Sequence, residues 1–127
     1  MFPKRLAAVL VLLIFALGCA GTLQTPQDRS DFAMSYWVAQ KADYTARYEW
    51  ATMKQEDGTR IWKPETTNLE KDILRTKYQF IVNAEEPIAL YDSYVQAGQI
   101  PPAELEMMVM QMINDLKQYL VEHQKGG

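Results

Sequence analysis

Apolar residues recur every three or four positions along three successive stretches of this chain, a period that suits amphipathic helices and defeats strands, which need a period of two. The last stretch shows it most plainly. Leu105, Met108, Val109, Met112, Ile113, Leu116 and Leu120 form one broad stripe. Pro102 can take a first helical position, where its missing donor costs nothing, and Glu104 suits the positive end of the helix. The middle stretch opens with Thr67-Asn68-Leu69-Glu70, a capping-box pattern, and carries Leu69, Ile73, Phe80, Ala84, Ile88, Tyr91 and Val95 on one side, with Leu74 and Ile81 alongside. Pro87 interrupts it. Because Ile88, Tyr91 and Val95 keep the phase of Leu69 to Ala84, one helix kinked at Pro87 is expected rather than two, with Gly98 as its stop.

The first stretch begins at Thr25-Pro26-Gln27-Asp28, a cap, a first-turn proline and an early acid. Trp37, Tyr44, Tyr48 and Ala51 share one side, flanked by Ala33, Met34, Val38 and Thr52. Asp57-Gly58 ends the pattern, and the segment to Glu65 reads as a loop. The periodicity therefore predicts an all-α fold, a three-helix up-down-up bundle over 26–124, with helices at about 26–55, 67–97 and 102–123 and almost no strand. At ~1.5 Å per residue the helices measure roughly 43, 43 and 33 Å.

Ahead of the bundle stands a different kind of segment. Lys4 and Arg5 precede twelve apolar residues from Leu6 to Leu17, and then Gly18-Cys19. Twelve residues match the apolar region of an export signal and fall short of the ~20 a membrane-crossing helix needs. Ala16-Leu17-Gly18-Cys19 resembles the lipobox of bacterial lipoproteins. The resemblance implies a helical signal peptide at 1–18, cleavage before Cys19, and acylation of Cys19 as lipid anchor, with 19–25 as a short tether. Ala20 in place of Asp is similar to the pattern sorted to the outer membrane. Two or more acyl chains hold a protein durably on a bilayer. Cys19 is the only cysteine, so it has no internal disulfide partner, and lipidation would remove an exposed thiol.

Without 1–18, which carry two of the 13 basic residues and none of the 16 acidic ones, the formal charge is about −5. No basic stripe interleaved with aromatics remains, so nucleic acid is not an expected partner. The arrangement is similar to small three-helix lipoproteins of bacterial genomes, including integrated phage regions, a likeness that transfers no functional residue. It leaves three expected functions: a non-enzymatic interaction or structural module of the cell envelope, a small-ligand or Cu(I)-binding envelope protein, and a phage-derived envelope protein that interferes with other phages.

Two residue groups bear on that choice. Phe32, Tyr36 and Trp50 project away from the Trp37 side and form a candidate contact surface for an envelope protein or a second copy of the chain. Met107, Met108, Met110 and Met112 offer soft sulfur suited to Cu(I). Spacing divides them, with Met108 and Met112 in the core stripe and Met107 and Met110 elsewhere. They read better as filling than as a metal site. His123 reads as a helix-terminal residue, and neither Glu85-Glu86 nor Glu104 with Glu106 has a histidine at di-iron spacing. No nucleophile triad, phosphate loop or haem motif occurs, so no cofactor and no enzymatic activity are expected.

Overall fold

A computed structural model describes residues 25–124, and the expected export signal, Cys19 and most of the expected tether lie outside them. Three helices, α1 (Pro26–Ala51), α2 (Asn68–Gln96) and α3 (Ala103–Gln124), account for most of the described chain. A two-stranded antiparallel hairpin, β1 (Thr52–Lys54) and β2 (Arg60–Trp62), joins α1 to α2. None of these helices is long and apolar enough to cross a membrane.

Local chemistry accounts for the boundaries. Thr25, in an extended conformation, accepts from Asp28 N at 3.1 Å, and Pro26 follows in the first turn. Thr67 accepts from Glu70 N at 3.1 Å, while the Glu70 carboxylate turns towards Arg47, 3.8 Å away. At the other end of α2, Gly98 adopts φ +71°, Gly98 N bonds to Val95 O (3.0 Å) and Gln99 N to Tyr94 O (2.9 Å). This is a Schellman closure, which needs the left-handed residue that glycine supplies without strain. α3 starts one residue later than expected, with the Pro102 carbonyl accepting from Glu106 N (3.1 Å) at the cap position.

The expectation of almost no strand is corrected by the hairpin, and α1 ends at Ala51 rather than near 55. Asp57-Gly58 is a turn rather than a helix stop. Gly58 has φ +90°, Gln55 N bonds to Thr59 O (2.7 Å), and the Asp57 carboxylate accepts from Thr59 N (3.0 Å) and Oγ1 (2.7 Å). Those bonds hold the Asp57 carboxyl below its ordinary range. Arg60 then reaches back, donating to Thr52 Oγ1 (2.8 Å), Glu49 O (3.1 Å) and Thr52 O (3.2 Å). α1 has no basic residue in its last turn. The guanidinium of β2 supplies that cation, bonding carbonyls the helix leaves open.

The core forms around α2, which packs on both other helices. Ile73, Phe80, Ile81, Ala84, Ile88 and Tyr91 from α2 meet Val109, Ile113, Leu116 and Leu120 from α3 and Ala33 from α1. Between α1 and α2, Ser30 bonds Asp92 (2.8 Å), Trp37 Nε1 bonds Ile81 O (2.8 Å) and Asp43 pairs with Lys77, so partner numbers fall on α2 as they rise on α1. α2 is helical straight through Pro87. On α1 the fully buried residues are the small ones, Ser30, Ala33 and Ala51, while Trp37, Tyr44 and Tyr48 are half-buried and Val38 is exposed. Small side chains admit α2 closely, and the rings lie along the seam. Met108, expected in the core stripe, is 49% exposed because Val109 and Leu105 occupy the inward positions.

Candidate functional site

The hairpin creates two faces at one end of the molecule. Along a strand successive side chains alternate sides, so Thr52 and its partner Trp62 face one way, and Met53 and its partner Ile61 the other. Thr52 is buried and Trp62 half-buried against Tyr48, their rings 5.8 Å apart and edge to face. Met53 and Ile61 are 40% and 48% exposed. Trp50, the penultimate residue of α1, is 71% exposed, with Lys63 Nζ 5.6 Å from its ring centroid. Trp50, Met53 and Ile61 are thus three exposed large hydrophobic side chains at this end.

On the Trp62 side the rings line a recess open to solvent. Tyr44 and Tyr48, one turn apart on α1, stack at 5.5 Å with 14° between planes, and Tyr78 of α2 lies 5.7 Å from Tyr44. With Trp62 and the buried Leu74 they border a cavity of about 170 Å³, and Arg75 and Gln79 stand at its edge. Burial, then the neighbouring Tyr48 and Tyr78 phenols, push the Tyr44 hydroxyl above its ordinary pKa, so it stays a neutral donor. This aromatic cluster was not anticipated as a site. Tyr44 and Tyr48 read as core, and Trp62 as loop, because nothing local shows that a hairpin folds Trp62 back onto α1.

The sequence-derived contact trio is divided. Phe32 and Tyr36 are half-buried against the core, Tyr36 meeting Phe80 edge to face at 5.6 Å, with Lys117 Nζ 4.7 Å from the Phe32 centroid. Burial pushes the Tyr36 phenol up to about 12. Trp50 lies fourteen residues further along α1, ~21 Å away by helical rise. Met107 is 71% exposed and Met110 half-buried on α3, and among the described residues no group of three or more His, Cys, Asp or Glu side chains is placed to hold a metal ion. His123 is half-buried, stacked on Tyr119 at 3.9 Å, with Nδ1 2.8 Å from Tyr119 O.

Two further clusters tie helices together. Tyr91, 1% exposed, accepts from Arg29 Nε (3.2 Å) and donates to Glu106 Oε1 (2.9 Å), and Arg29 also pairs with Glu106. Burial and the Glu106 acceptor raise the Tyr91 phenol against the pull of Arg29. Burial would lower the Arg29 guanidinium, and its bonds to Tyr91 and Glu106 outweigh that. Lys77, 3% exposed, meets Asp43, which also binds Arg47 at 3.1 Å. Phe80 and Met112 line a separate open groove of about 360 Å³ between α2 and α3, whereas Tyr91 is committed to its hydrogen bonds. Compared with known proteins, the chain matches no family model, no curated protein and no solved structure.

Proposed function

We propose that this chain is a lipid-anchored bacterial envelope protein, an up-down-up three-helix bundle bent at Pro87, that works as a non-enzymatic contact module. Its contact surface is the hairpin end, Trp50 with Met53 and Ile61. The reading rests above all on the 71% exposure of Trp50 at the same end of the molecule as the exposed Met53 and Ile61. Aromatic and Met side chains are enriched in protein interfaces, and monomers rarely leave large apolar patches without a partner. α1 spans ~39 Å, so this surface stands at the opposite end of α1 from Thr25, where the tether enters. A partner held on the hairpin would thus be kept away from the bilayer that acylated Cys19 enters.

Two measurements test the two halves of the reading. Cells fed a labelled fatty acid should acylate the wild-type chain and not Cys19→Ala, which should leave the membrane fraction. Affinity capture from detergent-solubilised envelopes should recover one protein, or a second copy of this chain, with wild type and lose it with Trp50→Ala. Equal labelling of Cys19→Ala sinks the anchor. Capture that is empty, or indifferent to Trp50→Ala, sinks the contact surface.

A further inference from the structure

We infer that the aromatic cavity beneath the hairpin is a binding site for a single uncharged pyranose ring. The inference rests on the cavity and requires neither the lipid anchor nor the Trp50 surface.

Size comes first. A closed cavity of roughly 150 Å³ accommodates benzene. This one measures about 170 Å³ and is open to solvent on one side, so it can seat one face of a six-membered ring whose substituents project outward. Leu74, 1% exposed, and four aromatic side chains from three elements line it. Such rings offer flat, polarisable faces to the C–H face of a sugar.

Charge then selects among ring-sized ligands. A cage of tyrosines and a tryptophan would ordinarily favour an organic cation. Here the cation's place is contested, since Arg75 stands at the edge and Lys71 Nζ already lies 5.9 Å from the Trp62 centroid. An anion gains little from Arg75, which is bonded to Asp72 at 3.2 Å, because it would meet that carboxylate as well. A purely apolar ring would offer nothing to the polar groups of the lining residues, the Gln79 amide and the hydroxyls of Tyr44, Tyr48 and Tyr78. No hydrogen bond among the described residues engages those three hydroxyls. A neutral ring with hydroxyls around its rim and C–H bonds on its face satisfies both sets of groups. That is the chemistry of a pyranose, free or as a unit of a glycan.

The test uses the purified full-length chain with labelled tryptophan indoles, titrated with glucose and N-acetylglucosamine and, separately, with choline and cyclohexanol. One of the two sugars should shift the Trp62 indole N–H saturably, with a Kd in the millimolar range expected for so small a ligand. The indole of Trp37, bonded to Ile81 O, and that of exposed Trp50 should stay still. Tyr78→Ala should weaken binding by about tenfold through loss of one ring contact. Gln79→Ala, at an exposed position where folding is unaffected, should weaken it by several-fold. The inference is overturned by any of four results: no saturation with either sugar, tighter binding of choline or cyclohexanol, an equal response at Trp50, or undiminished binding by Gln79→Ala.

Discussion

At the scale of single residues, Lys77 shows how burial and pairing divide the consequences of a substitution. Its ammonium is enclosed while its partner Asp43 keeps contact with water. Removing the carboxylate leaves a buried cation uncompensated, whereas replacing the lysine by an apolar chain of similar length removes the charge altogether. Asp43→Asn should therefore cost about 1–3 kcal/mol, less than a fully enclosed pair because solvent reaches Asp43, and Lys77→Met should be near neutral. Chemical denaturation of both variants checks the order; equal losses would show that the pair acts by packing alone. Burial would raise the Asp43 carboxyl, but Lys77 and then Arg47 outweigh it and hold it below its ordinary value. A depressed folded-state pKa means that the contribution is fully present above ~3.9, where the unfolded carboxyl is ionised, and is lost as pH falls through the lower folded value. Asp43→Asn should flatten the stability–pH curve in that acid window.

Among the elements, α2 carries the largest local conflict. A proline inside a helix removes one hydrogen bond and crowds the carbonyl four residues earlier, here that of Asn83, yet the helix runs from Asn68 to Gln96. Continuity is maintained because Ile81, Ala84, Ile88 and Tyr91 are buried on both sides of Pro87, so breaking the helix would unpack the core. Asn83 is exposed, which leaves its carbonyl within reach of solvent. Restoring the donor with Pro87→Ala should stabilise the protein by about 1–2 kcal/mol, the recovered helical bond exceeding the entropy returned to the unfolded chain. A lowered Tm for Pro87→Ala would mean instead that the ring of Pro87 helps α2 to meet its neighbours.

For the whole molecule, the bond from Arg29 to Tyr91 to Glu106 joins all three helices through one hydroxyl. Tyr91 is central because its ring lies in the core while its oxygen both accepts and donates. Tyr91→Phe keeps the ring and removes only that oxygen. The loss should be about 1–2 kcal/mol, or a fall in Tm of roughly 5–15 °C for a domain of this size. An unchanged Tm would show that the Arg29–Glu106 pair holds the helices together unaided. The molecule thus has a hydrogen-bonded end, where α1 enters, and an aromatic end at the hairpin, where both candidate binding surfaces lie.

Much of this architecture is written locally. The three helical periods, the caps at Thr25 and Thr67, the stop at Gly98 and the unbroken phase across Pro87 depend on residues within a few positions of one another, and the chain alone determines them. The hairpin was hidden because each strand has only three residues, too few to show alternation, and because Asp57-Gly58 serves equally well to end a helix or turn a strand. Packing also decided which rings are buried. Phe32 and Tyr36 share an outward side of α1 with Trp50, but only the first two meet a neighbouring helix, a difference that no spacing along α1 records. The aromatic cavity belongs wholly to the tertiary structure: Tyr44 and Tyr78 meet where α1 packs on α2, and Trp62 joins them where Arg60 ties β2 to the end of α1.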